Sequence, residues 1–135
     1  MSVFLPMMKK AGKGHIVNIG SRNSIEPAAG MAVYSGTKAF WFGTTPALRK
    51  ELRGTGIKIT QVEPGAVRTE GVVKVMQDPT FEELHDKFYP KSKIDVDKAM
   101  NLDRMVAKDI GEVVWNVIKT EDRVYQQEVY VGNME

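Results

Sequence analysis

The chain has 135 residues, 42% of them apolar and 27% charged, and a formal net charge of +2. That size and balance suit one globular domain with its own core, and the lack of cysteine excludes disulfides, thiolate metal sites and thiol chemistry. Lys and Arg are spread without a block of like charge, which argues against nucleic acid as the main partner, and no apolar run nears the roughly twenty residues of a membrane span.

Ser2 to Lys10 reads as the closing turns of an amphipathic helix, because Lys9, Lys10 and Gly12 supply the cations and the glycine that a helix C-terminus prefers. The apolar Val3-Phe4-Leu5-Pro6-Met7-Met8 is followed rather than preceded by positive charge, so no secretory leader is expected and the cytoplasm is the expected location. His15-Ile16-Val17-Asn18-Ile19 is rich in β-branched residues and stops at Gly20, as a central parallel strand does. Ser21 then falls at the carboxyl end of a strand, the edge at which open α/β sheets bind ligands. Arg22 to Met31, punctuated by Pro27 and Gly30, reads as a loop forming one wall of a site.

A helix is predicted from Val33 to Arg53. Tyr34 and Lys38 lie in its first turns with three residues between them, so both project from one face. A phenol titrates near pH 10, and a neighbouring ammonium favours its ionised form. Tyr34 is therefore a candidate proton donor and acceptor, Lys38 the ammonium beside it, and Ser21 a hydroxyl that holds a substrate oxygen. Farther along, Ala39-Phe40-Trp41-Phe42 cannot share one face of a 3.6-residue spiral, so more than one face should be covered, with the sheet accounting for two of the three aromatics. Pro46 has no N–H for the Phe42 carbonyl, which predicts a kink between Phe42 and Pro46. Arg49, Lys50 and Arg53 complement the helix dipole, and Gly54 or Gly56 is expected to cap it. Gly56 to Val62 alternates as a strand and ends in Glu63-Pro64-Gly65-Ala66-Val67-Arg68-Thr69, which opens with a turn.

At these residues the chain resembles the short-chain dehydrogenase/reductase family. The likeness rests on Tyr34-Ser35-Gly36-Thr37-Lys38, on Ser21 after the strand Ile16-Val17-Asn18-Ile19, and on Pro64-Gly65-Ala66-Val67-Arg68-Thr69, in that order. It implies a Rossmann-like, doubly wound parallel sheet and an NAD- or NADP-dependent enzyme. Tyr34 would be the acid-base, Lys38 would assist it and bond the nicotinamide ribose, and Ser21 would bind the carbonyl or hydroxyl of the substrate. Pro64, Gly65 and Val67 would face the nicotinamide, and Thr69 would bond its carboxamide or phosphates. The helix over 33–53 would pack against its copy in a homo-oligomer. The family's Gly-rich diphosphate turn has no counterpart here, since no G-x-G-x-x-G or G-x-x-x-G-x-G occurs in the chain. The whole of 1–135 is accordingly expected to be a single partial domain, the catalytic and substrate half of such an enzyme, with little or no activity by itself.

Within it, 70–105 is expected to be the variable segment that covers the substrate. Thr80-Phe81-Glu82-Glu83 reads as a capping box opening a short helix to about Phe88, bounded by Pro79 and Pro90. Lys91 to Arg104 reads as a polar lid or loop. Val72, Val73, Val75, Met76 and Phe81 are the candidates for substrate contact. Ile110, Val113, Val114, Val117 and Ile118 form an apolar stripe for a helix lying on a sheet, and Asp109 and Glu112 suit its first turn. Gln127 to Val131 is expected to be the closing strand.

The expected architecture is α/β, with about three parallel strands near 15–19, 57–62 and 127–131 joined by helices. The expected chemistry is interconversion of a secondary alcohol and a ketone, on a small-molecule alcohol or carbonyl substrate, without membrane or nucleic acid. A rival expectation is a non-catalytic fragment or pseudoenzyme that acts by oligomerising with an intact relative. A serine hydrolase built on Ser21 fits poorly, because Gly20-Ser21-Arg22-Asn23-Ser24 lacks the second glycine of a nucleophile elbow and no histidine is placed as its base. His15 and His85 stand alone and suggest no metal site.

Overall fold

The computed structural model describes residues 3–89 and 104–133. Helix α1 (Phe4–Ala11) ends at Gly12, whose φ of 66° lets its N–H turn back onto the Lys9 carbonyl at 3.1 Å. Strand β1 (Gly14–Ile19) follows, then a short 3-10 turn over Arg22–Ser24 inside the stretch expected to be loop. Helix α2 (Ala32–Glu51) runs through Pro46 as one element. Leu52, rather than either glycine, closes it, its N–H bonded to the Leu48 carbonyl.

Strand β2 (Ile57–Pro64) lies between β1 and the later β5 (Glu128–Val131), and both pairings are parallel. Gly56, at φ 73°, makes the entry to β2 possible: a Cβ there would lie 2.0 Å from the Gly12 carbonyl oxygen. Two-residue strands β3 (Val67–Arg68) and β4 (Met105–Val106) form a second small sheet, which the sequence pattern did not announce. Helices α3 (Glu70–Met76) and α4 (Pro79–Phe88) occupy the first part of the variable segment, and α5 (Ala107–Lys119) precedes β5. Of the expected lid, Lys91 to Arg104, all but Arg104 lies outside the described residues.

Alternation along β2 sorts its side chains to two faces. On one, Ile57 and Ile59 join Leu52, Leu48 and Ile16 and the α1 residues Leu5 and Met8 in the core. On the other lie Thr60 and the fully buried Val62, and α5 packs against the strand with Val117 buried. Ile110, Val113 and Val114 of the α5 stripe also turn inward, while Ile118 is exposed. Of the aromatic run of α2 only Phe42 is half-buried against the rest of the chain, and Phe40 and Trp41 point outward, packed edge to face at 5.5 Å. A correction concerns α4. Asp78, not Thr80, caps it, its Oδ1 accepting the Thr80 N–H at 2.8 Å with Pro79 in the first helical position.

Two polar contacts close gaps in the sheet. β5 begins opposite Gln61, so Ile59 has no strand partner on that side. The Tyr125 hydroxyl serves both of its backbone groups, accepting from the N–H at 3.0 Å and donating to the carbonyl at 2.9 Å. Arg49, expected to answer the helix dipole, instead reaches across to the sheet. Its Nε donates to the Ile59 carbonyl at 2.9 Å, and its other nitrogens meet Glu128 and the Gln127 carbonyl. No helix among the described residues is long and apolar enough to cross a membrane.

Candidate active site

Because the three strands of the main sheet are parallel, their carboxyl ends share one edge. β1 ends there in Gly20 and Ser21, held to β2 by the Gly20 N–H on the Val62 carbonyl at 2.8 Å. Ser21 is extended, with φ −168°, and 9% exposed. Its Oγ accepts the Asn23 N–H at 3.3 Å, which starts the 3-10 turn and leaves the hydroxyl hydrogen free to be donated.

Tyr34 and Lys38 occupy the first turns of α2, on one face. Lys38 Nζ lies 5.8 Å from the centre of the Tyr34 ring and donates to the Ile19 carbonyl at 3.2 Å, two residues before Ser21. The helix thus brings its ammonium to the end of the strand that carries the serine. Tyr34 is 41% exposed, and its hydroxyl makes no hydrogen bond among the described residues. A free phenol hydroxyl and an ammonium with N–H groups to spare make a donor set suited to the hydroxyls of a ribose. The residues present therefore fit the ribose of a nucleotide at this point.

The turn after β2 lies along the same edge. Pro64 is the last residue of β2, and the Gly65 N–H is bonded to the Val131 carbonyl at 2.7 Å. Val67 pairs with Met105 in the small sheet. Asn133 ties these pieces together, accepting from the Met105 N–H at 3.0 Å and donating to the Ala66 carbonyl at 3.1 Å. Thr69 is the N-cap of α3, its hydroxyl accepting the Val72 N–H at 3.3 Å. A shallow cleft beside it is lined by Arg68, Thr69, Glu70, Val73 and Lys74.

Between the loop and α4 lies an apolar cavity of about 260 Å³, lined among others by Ala28, Met31, Phe81, Leu84 and His85. His85 stacks on Tyr89 at 5.3 Å, and the Tyr89 hydroxyl accepts the Ala29 N–H at 3.0 Å, so α4 is fastened to the loop that leads to Tyr34. Of the apolar residues expected to meet substrate, Phe81 faces this cavity and Val73 the cleft beside Thr69, while Val72 and Val75 are exposed. A larger cleft, about 700 Å³, sits at the opposite edge of the sheet, around Gly12, Lys13, Gly56 and Lys58, and holds none of the candidate residues.

Glu63 was quoted above only as the residue before Pro64. It is 1% exposed, and its Oε2 accepts from the Ser21 N–H at 2.5 Å and the Ser24 hydroxyl at 3.0 Å. A carboxylate inside a strand otherwise apolar enough to be central was the available signal. Among the described residues no group of three His, Cys, Asp or Glu could hold a metal ion.

A three-stranded parallel sheet flanked by helices is a Rossmann-like arrangement, and comparison with known proteins agrees. The chain belongs to the short-chain dehydrogenase family, whose sequence profile matches residues 1–80. It is 45% identical over 65 residues to an uncharacterized oxidoreductase of Staphylococcus epidermidis, a match covering 48% of this chain and 28% of that protein. Over 63 residues it is 46% identical to an NADP-dependent 3-hydroxy acid dehydrogenase of Salmonella typhi, covering 47% of this chain and 25% of the relative. Among solved structures, the closed form of a serine dehydrogenase complexed with NADP+ is similar with a TM-score of 0.72 and 29% identity, covering 99% of this chain and 49% of that one. Serine dehydrogenase from Escherichia coli gives 0.68 and 28%, over 96% and 44%. The chain thus spans about half the length of these solved relatives and a smaller share of the curated ones.

Proposed function

We propose that this chain carries the proton-transfer and substrate-holding half of an NAD- or NADP-dependent oxidoreductase that interconverts a secondary alcohol and a ketone. The observation that supports it most is the placement of Lys38 Nζ, 5.8 Å from the Tyr34 ring and bonded to the Ile19 carbonyl beside Ser21. A bound nicotinamide would supply or accept the hydride. In reduction, the Ser21 hydroxyl donates a hydrogen bond to the carbonyl oxygen of the substrate, and Tyr34 gives that oxygen its proton. The Lys38 ammonium stabilises the negative charge that develops on the phenol oxygen. Lys38 and Tyr34 would hold the ribose, and Pro64, Gly65, Val67 and Thr69 the nicotinamide end of the cofactor. The relatives named for 3-hydroxy acids and serine make small 3-hydroxy acids the first substrates to try, with the cavity beside Met31 and Phe81 taking an apolar flank.

The test is nucleotide-linked turnover of 3-hydroxybutyrate and L-serine with NADP+ and NAD+. Tyr34→Phe should lower kcat by about a hundredfold or more, with a smaller loss of nucleotide binding, about tenfold at most, from the missing ribose contact. A variant that kept the wild-type rate would overturn the mechanism. The outward Phe40 and Trp41 pair favours a second reading, in which α2 docks on its copy or on an intact relative without catalysis. That reading requires self-association in sedimentation together with no binding of NADPH or NADH.

A further inference from the structure

A carboxylate taken out of water needs surroundings that offset the loss of its hydration. Around Glu63 they consist of donors: the Ser21 N–H at 2.5 Å, the Ser24 hydroxyl at 3.0 Å and the side-chain amide of Gln61 at 2.5 Å. Two of these come from the turn that carries the candidate substrate-binding serine, 42 residues earlier in the chain. The backbone is shaped to the same group, since a Cβ on Gly20 would lie between 2.3 and 2.5 Å from the Glu63 carboxyl atoms. Gly20, Ser21 and Ser24 are thus arranged about one acceptor-only side chain.

We propose that Glu63 is a positioning residue: its carboxylate pins the Ser21 turn against the end of β1 and so aims the Ser21 hydroxyl at the substrate oxygen. The inference rests on Ser21 having that role. Glu63 itself touches neither the phenol nor the ammonium among the described contacts, and it acts through the Ser21 N–H. Glutamine keeps the length but removes the negative charge, so the Ser21 N–H is left with a neutral acceptor at best and loses its charge-assisted bond. Aspartate keeps the charge but falls one methylene short.

The experiment has two parts. In amide NMR of the chain, the Ser21 N–H should resonate far downfield and exchange slowly. Glu63→Gln should move it upfield and speed its exchange by about tenfold or more, as loss of a charge-assisted hydrogen bond requires, whereas Ser24→Ala should leave it in place. In turnover of 3-hydroxybutyrate with NADP+, Glu63→Gln should lower kcat/KM by about ten- to hundredfold in the Ser21 protein, but by no more than about twofold in a Ser21→Ala background, because its effect passes through that serine. An equal factor in both backgrounds, or a Ser21 amide unmoved by Glu63→Gln, overturns the inference. If Glu63→Gln fails to fold, Glu63→Asp is put through the same two measurements and the same outcomes decide. Turnover lost in Tyr34→Phe but unchanged in the Glu63 variants sinks this inference alone. Turnover kept in Tyr34→Phe sinks the oxidoreductase mechanism, and this inference with it.

Discussion

Gly20→Ala is the smallest change that should disturb the carboxyl edge of the sheet. The new methyl carbon would sit 2.3 Å from Glu63 Oε2 and 2.4 Å from Oε1, against an ordinary contact of about 3.5 Å. The carboxylate must withdraw by about 1 Å, which takes its 2.5 Å bond to the Ser21 N–H beyond useful hydrogen-bond length. Gly20 does not have a positive φ, so no backbone strain enters. Losing a hydrogen bond to a charged group costs about 1.5–3 kcal/mol, and overpacking adds to it, so the expected destabilisation is about 2–4 kcal/mol. Urea unfolding followed by tryptophan fluorescence measures it. In a Glu63→Ala background the methyl has room, and the same substitution should then cost under about 1 kcal/mol. A cost below that in the Glu63 protein, or an equal cost in both backgrounds, would refute the reasoning.

Tyr125→Phe removes the only partner that the Ile59 N–H has among the described residues, at a residue with no exposure, while Arg49 still serves the carbonyl. It should cost about 1–3 kcal/mol in the same urea assay, and a change under about 0.5 kcal/mol would mean that another group replaces the phenol. His15 gives a pH dependence. Burial, and secondarily the Lys58 ammonium, push its pKa below the usual histidine value of 6.5. The unfolded chain therefore binds the proton more readily, and the contribution is fully present above about pH 6.5 and lost as pH falls through the lowered value. The Thr60 hydroxyl spends its hydrogen on the Gln126 carbonyl, so His15 Nε2 must be the donor in their 2.8 Å bond. His15→Gln can keep that donor without titrating. Wild type should lose stability relative to this variant between about pH 7 and 5, and parallel curves would contradict the account.

Elements with a strong period were legible in the residues. β1, β2, α2 and α5 stand close to where β-branched runs or the Ile110 to Val117 stripe put them. The tyrosine and lysine were readable because a helix maps three intervening residues onto one face whatever surrounds it. α3 was hidden because Val72, Val73 and Val75 read as substrate-facing, and what starts the helix is the Thr69 cap. β3 and β4 are two residues each, too short for any alternation to register. Arg49 was read as a partner of the helix dipole and Glu63 was given no role, because a residue's charge does not say which backbone groups the fold will turn it onto. The outward aromatics of α2 show the converse, since hydrophobicity says nothing about which neighbour covers a face.

The parallel pairing has a temporal consequence. Bonds that fix the sheet and its edge join distant parts of the chain, Ser21 to Glu63 across 42 residues and Ile59 to Tyr125 across 66. Loop-closure entropy must be met before such contacts return anything, and chains of this kind fold slowly. The motif around Tyr34 can coil into a helix within microseconds, yet the serine facing it takes its place only after β2 has docked. A peptide carrying residues 14–40 would hold all three candidate side chains and remain inert.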